Sequence, residues 1–430
     1  MERLDQLLAR IEPDVARLLE GLLEGRELSC EGGLRLAQTQ GLELRALVTA
    51  ADEMRRRQVG EVVTYVINRN INFTNVCIKH CTFCAFSRGF REEQAYFLSL
   101  EEVARRAEEA WALGATEVCV QAGLPPKLDG QFYIELCRAI RRAAPRIHIH
   151  AFSPEEILYG SRQSGIPIPQ YLLALKEAGL GTLPGTSAEI LDDEIRDIIS
   201  SGRISTRQWI EVVTTAHALG IPTSATMMYA HIEQPIHWVR HMALLRDIQK
   251  ETGGFTEFVP LSLVYHEAPI YRRRLVKGLR QGATGADGLK VHALARLMLG
   301  ATFNHIQSSW VKEGPKFAQY LLTAGANDLG GTLINESIST SAGAPHGEFM
   351  PPAALRRLIR ELGRVPAQRS TTYGLLRLCN SPDEEEDPLD CIDDPEARFG
   401  SYQTLTASHG FQYDNATSSR EYAVDEHKRQ

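Results

Sequence analysis

Within Asn72–Cys84 three cysteines stand at Cys77, Cys81 and Cys84, a Cys-x3-Cys-x2-Cys spacing with Phe83 directly before the last. Three thiolates inside eight residues can converge on one metal centre, because a tight loop brings the sulfurs to one point. The next cysteine is Cys119, so no fourth thiol is close in sequence. A closed structural site fills four ligand positions, whereas a reactive one keeps a position open. A 4Fe-4S cubane held by three thiolates leaves one iron free to bind a substrate or cofactor. Two other readings compete. Cys77, His80, Cys81 and Cys84 together could hold zinc, although zinc modules more often pair two Cys-x2-Cys knuckles and a second knuckle is absent. The thiols could also be inert and buried.

Chemistry of this kind needs a scaffold that brings the loop to other polar groups. From Glu61 onward short β-rich runs alternate with amphipathic helical runs. The expected strands are Val62–Ile67 (continuing toward Phe73), Glu117–Gln121, Arg146–His150, Gly181–Pro184, Pro222–Met228, Phe255–Pro260, His305–Trp310 and Asn327–Gly331. Capping boxes at Ser99–Glu102 and Ser153–Glu156 announce two of the intervening helices. Eight strand-then-helix units predict an α/β fold with a parallel sheet and right-handed crossovers. Their span fits a (β/α)8 TIM-type barrel, with an open doubly wound sheet as the alternative. In a barrel the active site lies at the C-terminal ends of the strands, which is where the cysteine loop falls.

Other polar residues near strand ends become candidates on the same ground. Gln121 ends the second strand, and Thr186, Ser187 and Glu189 follow the fourth. Tyr229 and His231 follow the fifth, Glu257 lies on the sixth and His266 in the loop beyond it. Gln307 lies on the seventh strand, and Asn327 and Asp328 open the eighth. Each is as readily a satisfied polar residue of a barrel interior. As a set they suit a polar substrate.

The chain has 430 residues, of which 43% are hydrophobic and 23% charged, an ordinary globular composition. Its net charge of −7 argues against a general nucleic-acid binder. No apolar run approaches the ~20 residues of a membrane span, and Met1–Asp5 carries no apolar signal segment. The eight cysteines, scattered apart from the triplet, then read as reduced thiols of a cytoplasmic protein. Residues 1–60 read as a helical cap, 61–378 as the barrel with C-terminal helices, and 379–430 as an acidic tail. From Asn380 to Gln430 there are 13 Asp/Glu against 4 Lys/Arg, which predicts disorder.

The cysteine spacing with Phe83 resembles the radical S-adenosylmethionine (SAM) superfamily. Longer blocks narrow the likeness: Asn70–Cys77, Leu183–Glu194, Trp209–His217, Thr226–Tyr229, Gly253–Leu261, His305–Lys312 and Gly325–Thr332. In these the sequence resembles the tyrosine-using subunits of F0 (deazaflavin) synthase, the 5-amino-6-(D-ribitylamino)uracil–L-tyrosine 4-hydroxyphenyl transferases. The likeness covers about 61–378 and excludes the acidic tail. It implies a 4Fe-4S cluster on Cys77, Cys81 and Cys84, with SAM on the open iron. It also implies that SAM is split to methionine and a 5′-deoxyadenosyl radical that takes hydrogen from L-tyrosine. Cleavage of the Cα–Cβ bond then leaves 2-iminoacetate and a 4-hydroxybenzyl radical, which adds to the ribityl-aminouracil. Phe83 would flank the adenine, and Gln121, Thr186, Ser187 and Glu189 would contact SAM. The implied partners are a second radical SAM subunit that closes the deazaflavin ring and an electron donor. A menaquinone-pathway radical SAM enzyme and, from another class, a zinc-stabilised barrel acting as a binding protein or hydrolase are the alternatives.

Overall fold

The computed structural model describes residues 3–381 and 386–414. Among the described residues ten strands are formed: β1 (Val62–Val66), β2 (Asn68–Ile71), β3 (Glu117–Val120), β4 (His148–Ala151), β5 (Leu180–Thr182), β6 (Thr223–Tyr229), β7 (Phe255–Ser262), β8 (Asp328–Gly331), β9 (Val365–Arg369) and β10 (Leu375–Leu378). Strands β2 to β5 pair in parallel in sequence order, as do β6 and β7. Single parallel bridges close the ring: Leu183 to Thr223, Phe258 to Ile306 and Gln307 to Asp328. Strand β8 pairs in parallel with β1 and completes the circuit. The closed barrel, not the open sheet, is therefore the fold.

The expected strand set is right in order but not in extent. The first strand breaks at Ile67, and its halves take different neighbours, β9 beside β1 and β3 beside β2. The seventh position pairs only at Ile306 and Gln307, because Trp310 already starts a helical turn, Trp310–Glu313. Two short strands, β9 and β10, were not expected from the sequence.

Helices cover the barrel as their apolar spacing dictates. The helix Leu100–Ala112 is capped by the Ser99 side chain and buries Val103, Ala107 and Ala110. In Pro154–Ser164 both halves of the Ser153/Glu156 capping box are formed. Residues 4–59 form four helices, the last being Gly41–Val59. Their apolar side chains belong to the same core as the barrel's. Gln58 donates to the carbonyls of Gly300 and Phe303, just before the seventh strand position. Among the described residues no helix is long and apolar enough to cross a membrane.

The N-terminal end of the barrel interior is polar. Asn68 donates to Glu117 (2.9 Å), and His148 and His150 both reach the Thr182 hydroxyl (2.8 and 2.7 Å). The β9–β10 hairpin supplies this layer with a cation. Arg369 Nε lies 2.6 Å from Asp328, which also accepts from Thr64, and Arg369 Nη2 lies 3.5 Å from Glu257. Tyr373, in the hairpin turn, stacks on His305 (3.6 Å) and donates to Glu257. Asn327 accepts from Arg296 (2.8 Å) and from the Ile306 amide (3.0 Å). Three candidates, Glu257, Asn327 and Asp328, are thus committed at the end opposite the cysteine loop. The physical reason is register: β7 runs on to Ser262, so Glu257 is near its start, and Asn327 and Asp328 stand at the entry to β8.

The expected disorder of the tail does not hold for residues 386–414. Leu389, Phe399, Tyr402, Leu405 and Tyr413 are buried, which supplies the apolar area that a net-charge argument overlooks. Arg356 holds the segment through Asp387 and Asp390 (2.6 Å to Asp390). Residues 382–385 and 415–430, to which the same expectation applied, lie outside the described residues.

Two stability outcomes follow. Asp328→Ala leaves Arg369 buried without its closest carboxylate and should lower unfolding free energy by about 3–5 kcal/mol. Chemical denaturation measures this, and a loss below ~1 kcal/mol would mean that the pair does not hold the hairpin. Ending the chain at Ser381 should lower the melting temperature, since it strips buried aromatics from the barrel surface. An unchanged melting temperature would show that the 386–414 contacts contribute nothing.

Candidate active site

The cysteine loop leaves the end of β2 and has almost no regular structure, so side chains and neighbouring loops satisfy its backbone. Asn75 donates to the Gln94 carbonyl (2.8 Å) and accepts from the Tyr96 amide (3.0 Å), while Thr74 donates to the Tyr96 carbonyl (2.6 Å). The amides of Cys77 and Ile78 reach the carbonyls of Arg88 and Leu124, and the Thr82 amide reaches Ile199. Gly123 lies flat against this loop: a Cβ there would stand 2.2 Å from the Val76 carbonyl oxygen.

Cys77, Cys81 and Cys84 line a single cavity at the C-terminal ends of the strands. His80 does not line it, although it adjoins Cys81 and Cys84 from another side. Among the described residues no three Cys, His, Asp or Glu side chains converge tightly enough for one metal ion. His80 is thus not placed with the three thiols on the cavity wall, and three thiolates are the ligand set of a cluster with one open iron. Burial pushes the Cys81 thiol up to about 12, against the pull of Arg203. Burial also raises Cys84, while the amides of Ser87 and Phe86 donate toward its sulfur and favour the thiolate. A bound metal must displace these protons, and amide donors at a sulfur are one of the levers a protein has on an iron–sulfur cluster.

The same cavity gathers the five sequence-predicted cofactor residues: Phe83, Gln121, Thr186, Ser187 and Glu189. Thr186 donates to the Gln121 side chain (2.6 Å). The turn after β5 is tight, because Gly185 approaches Ser224 so closely that a Cβ would stand 1.9 Å from its carbonyl oxygen. Ser187 (φ 63°) and Glu189 (φ 40°) then adopt left-handed backbone conformations, of the kind that collects at functional sites.

Sequence reasoning missed the charged framework behind these residues. Arg203 lies 2.9 Å from Glu189 and 3.5 Å from Glu155, and it donates to the Ser187 hydroxyl. Lys79 reaches Glu155 at 3.1 Å. Burial works against the charge on Arg203, but Glu189, the Cys81 sulfur and Glu155 outweigh it and hold it protonated. Glu156 accepts from the Ala122 and Ser153 amides (3.0 and 2.7 Å), and burial nevertheless lifts its carboxyl to about 7. Glu155 and Glu156 carried a sequence signal only as helix-start residues, and Arg203 lies in a loop with no motif around it. Lys312, inside one of the shared blocks, also lines the cavity.

The remaining candidates are dispersed. His231 is fully buried, with Glu233 at 3.1 Å and the Met228 carbonyl at 3.2 Å. Tyr229 donates to Glu313 at 2.7 Å. Gln307 packs inside the barrel against Gly330. His266 lines a second cavity, which shares Ser262, Leu263, Val264 and Lys312 with the first. It adds Tyr265, Thr284, Glu313, Phe317 and His346.

The Radical SAM superfamily model matches residues 71–245, and the CofH/MqnC C-terminal region model matches residues 252–381. The 5-amino-6-(D-ribitylamino)uracil–L-tyrosine 4-hydroxyphenyl transferase of Methanocaldococcus jannaschii is 48% identical over 354 residues, 82% of this chain and 98% of that protein. The FO synthase of Mycobacterium tuberculosis is 49% identical over 369 residues, 85% of this chain but 43% of that protein. The chain thus spans less than half the length of the FO synthases it matches. Among solved structures, methylornithine synthase superposes with a TM-score of 0.63 at 19% identity, covering 81% of this chain and 97% of that one. The FeFe-hydrogenase maturase HydG from Carboxydothermus hydrogenoformans gives 0.65 at 16% identity, covering 87% of each chain. A three-thiol cavity at the mouth of a closed barrel, two consecutive family matches and a near-full-length relative place the chain in the radical SAM superfamily, in the family of the 5-amino-6-(D-ribitylamino)uracil–L-tyrosine 4-hydroxyphenyl transferases.

Proposed function

We propose that this chain cleaves L-tyrosine and transfers its 4-hydroxybenzyl group to 5-amino-6-(D-ribitylamino)uracil, a step toward the deazaflavin F0. The observation that carries the reading is the near-full-length likeness to a transferase so named, joined to a cavity that contains all three thiols. Cys77, Cys81 and Cys84 would hold the 4Fe-4S cluster. With SAM bound, that cluster supplies reductive SAM cleavage and hence a hydrogen-abstracting radical.

The protein's own part is to bind, orient and exclude water. Phe83 offers an apolar ring beside Arg203, 6.0 Å from its guanidinium, and would flank the adenine. Gln121 and Thr186 are already hydrogen-bonded to each other and present one polar edge to SAM. Glu189 and Ser187 are held in place by Arg203, so their positions are fixed before a ligand arrives. The ring closure that follows needs a second radical SAM enzyme, and cluster reduction needs an electron donor. Both are partners of this reading.

Replacing Cys77, Cys81 or Cys84 by Ala should abolish cluster loading and SAM cleavage. Replacing Cys119 or Cys137, which lie outside the cavity, should leave iron and acid-labile sulfide unchanged. A Cys81→Ala protein with full iron content would sink the assignment.

Ring-labelled tyrosine, incubated with SAM, reductant and the diaminouracil, should place label on the pyrimidine and release free 5′-deoxyadenosine in step with tyrosine loss. Retention of adenosine in the product would indicate addition chemistry of the menaquinone type. Label that never reaches the uracil would overturn the tyrosine reading while leaving cluster and SAM in place.

A further inference from the structure

The two cavities at the top of the barrel meet along Ser262–Val264 and Lys312. Lys312 stands on the helical turn Trp310–Glu313, directly after the seventh strand position. The first cavity has three cations in its wall, and two are committed. Lys79 is bound to the Gly202 carbonyl (2.6 Å) and Glu155, and Arg203 to Glu155, Glu189 and Ser187. Among the described residues lining this cavity, Lys312 is the cation whose side chain makes no hydrogen bond and no ion-pair contact.

Its nearest acids do not serve it. Glu313 accepts from the Tyr229 hydroxyl, and Glu336 caps the following helix by accepting from the Ser339 amide (2.9 Å). Glu336, the Cys84 sulfur and Glu313 act on Lys312 electrostatically, in that order, but neither carboxylate forms an ion pair with its ammonium group. Burial disfavours the charge of Lys312, so an ammonium in this wall gains most from an anion that arrives with a ligand. Glu155 and Glu189, after β4 and β5, are already paired with Lys79 and Arg203. Beyond Lys312 the second cavity offers aromatic and polar groups, Tyr265, Phe317, Thr284 and His346.

We propose that Lys312 is the carboxylate anchor of the amino-acid substrate, holding it at the boundary between the two cavities. The proposal rests on the tyrosine reading above. An amino acid with a phenol side chain presents one carboxylate, and the diaminouracil presents none. A charge-assisted contact there would fix the backbone end of the substrate near the thiol cavity and leave its ring free to enter the second one.

The test compares L-tyrosine with tyramine, which has the same ring and amine but no carboxylate. Binding of each is measured by calorimetry to cluster-loaded protein with SAM present, for the natural chain, Lys312→Met and Lys312→Arg. The natural chain should favour tyrosine over tyramine by about tenfold or more, as expected of a hydrogen bond to a charged group. Lys312→Met should bring the two affinities together by weakening tyrosine alone, and Lys312→Arg should restore part of the preference. Iron content and SAM affinity should not move, which separates anchoring from folding. An unchanged tyrosine-to-tyramine ratio in Lys312→Met overturns the anchor, and so does a variant whose SAM affinity falls while tyrosine binding holds. If Lys312→Met cannot be loaded with cluster, Lys312→Arg and the natural chain carry the comparison, and equal affinity for tyrosine and tyramine in the natural chain overturns the anchor. A natural chain that binds neither molecule removes the tyrosine reading itself.

Discussion

A loop that carries three metal-binding thiols cannot spend them on its own structure. Residues 72–97 leave the barrel without helix or strand, yet residues 72–76 and 95–96 are buried and their backbone groups need partners. Asn75 and Thr74 act as surrogate backbone, each replacing a ladder bond with a side-chain bond across the loop. Asn72 ties the loop to the end of β3 through the Gln121 carbonyl (2.7 Å). Thr82 receives the amide of Ile270 and gives its own to Ile199, so the loop tip is pinned from two sides. The polar run Asn70–Asn75 is therefore mechanical. It satisfies the chain so that Cys77, Cys81 and Cys84 face the cavity uncommitted.

The barrel divides its polar groups between two ends, and burial decides what each can do. At the N-terminal end every charge has a near partner: Arg369 with Asp328, Asn68 with Glu117, Tyr373 with Glu257. Burial pushes Glu257 up to about 7, although Arg369 and the Tyr373 hydroxyl oppose it. Such a closed network resists ligands, because any newcomer must replace a bond already made. At the C-terminal end the network is open. Arg203 is balanced between two carboxylates, but Ser87 Oγ is buried with no partner, and Lys312 faces space.

That distinction explains what was legible in the sequence. The triplet, the order of strands and helices and the turn Gly185–Glu189 are local patterns, set by spacing and by turn chemistry; the order is the one observed, and the triplet and the turn line one cavity. Glu257, Asn327 and Asp328 look the same in sequence as Gln121 or Glu189, since a polar residue in a strand does not announce which end of the barrel it faces. Only register decides that, and register depends on where β7 stops and on the β9–β10 hairpin that fills the opposite mouth. Arg203 and Glu155 were illegible for another reason. They come from different elements, and their roles exist only because the fold brings them within 3.5 Å.

The C-terminal segment shows how composition can mislead where packing is sparse but specific. Its acids suggested solvated chain, yet a few aromatic residues determine where it lies. Gln412 bridges to Tyr96, and the amides of Phe97 and Tyr413 exchange bonds with Phe411 and Ala95, so the segment adds an antiparallel edge to the cysteine loop. Tyr402 packs on Phe86, 5.9 Å between rings, and its amide is held by Glu348. Phe399 lies under the Arg69 guanidinium, which also grips Asn335. The CofH/MqnC C-terminal region model matches to residue 381, before any of these contacts begins. The loop that presents the thiols is consequently braced in this chain by residues the family models do not match. Because the brace touches 86–97 and not the thiols, it steadies the exit of the loop while leaving the cavity-facing side free for ligands.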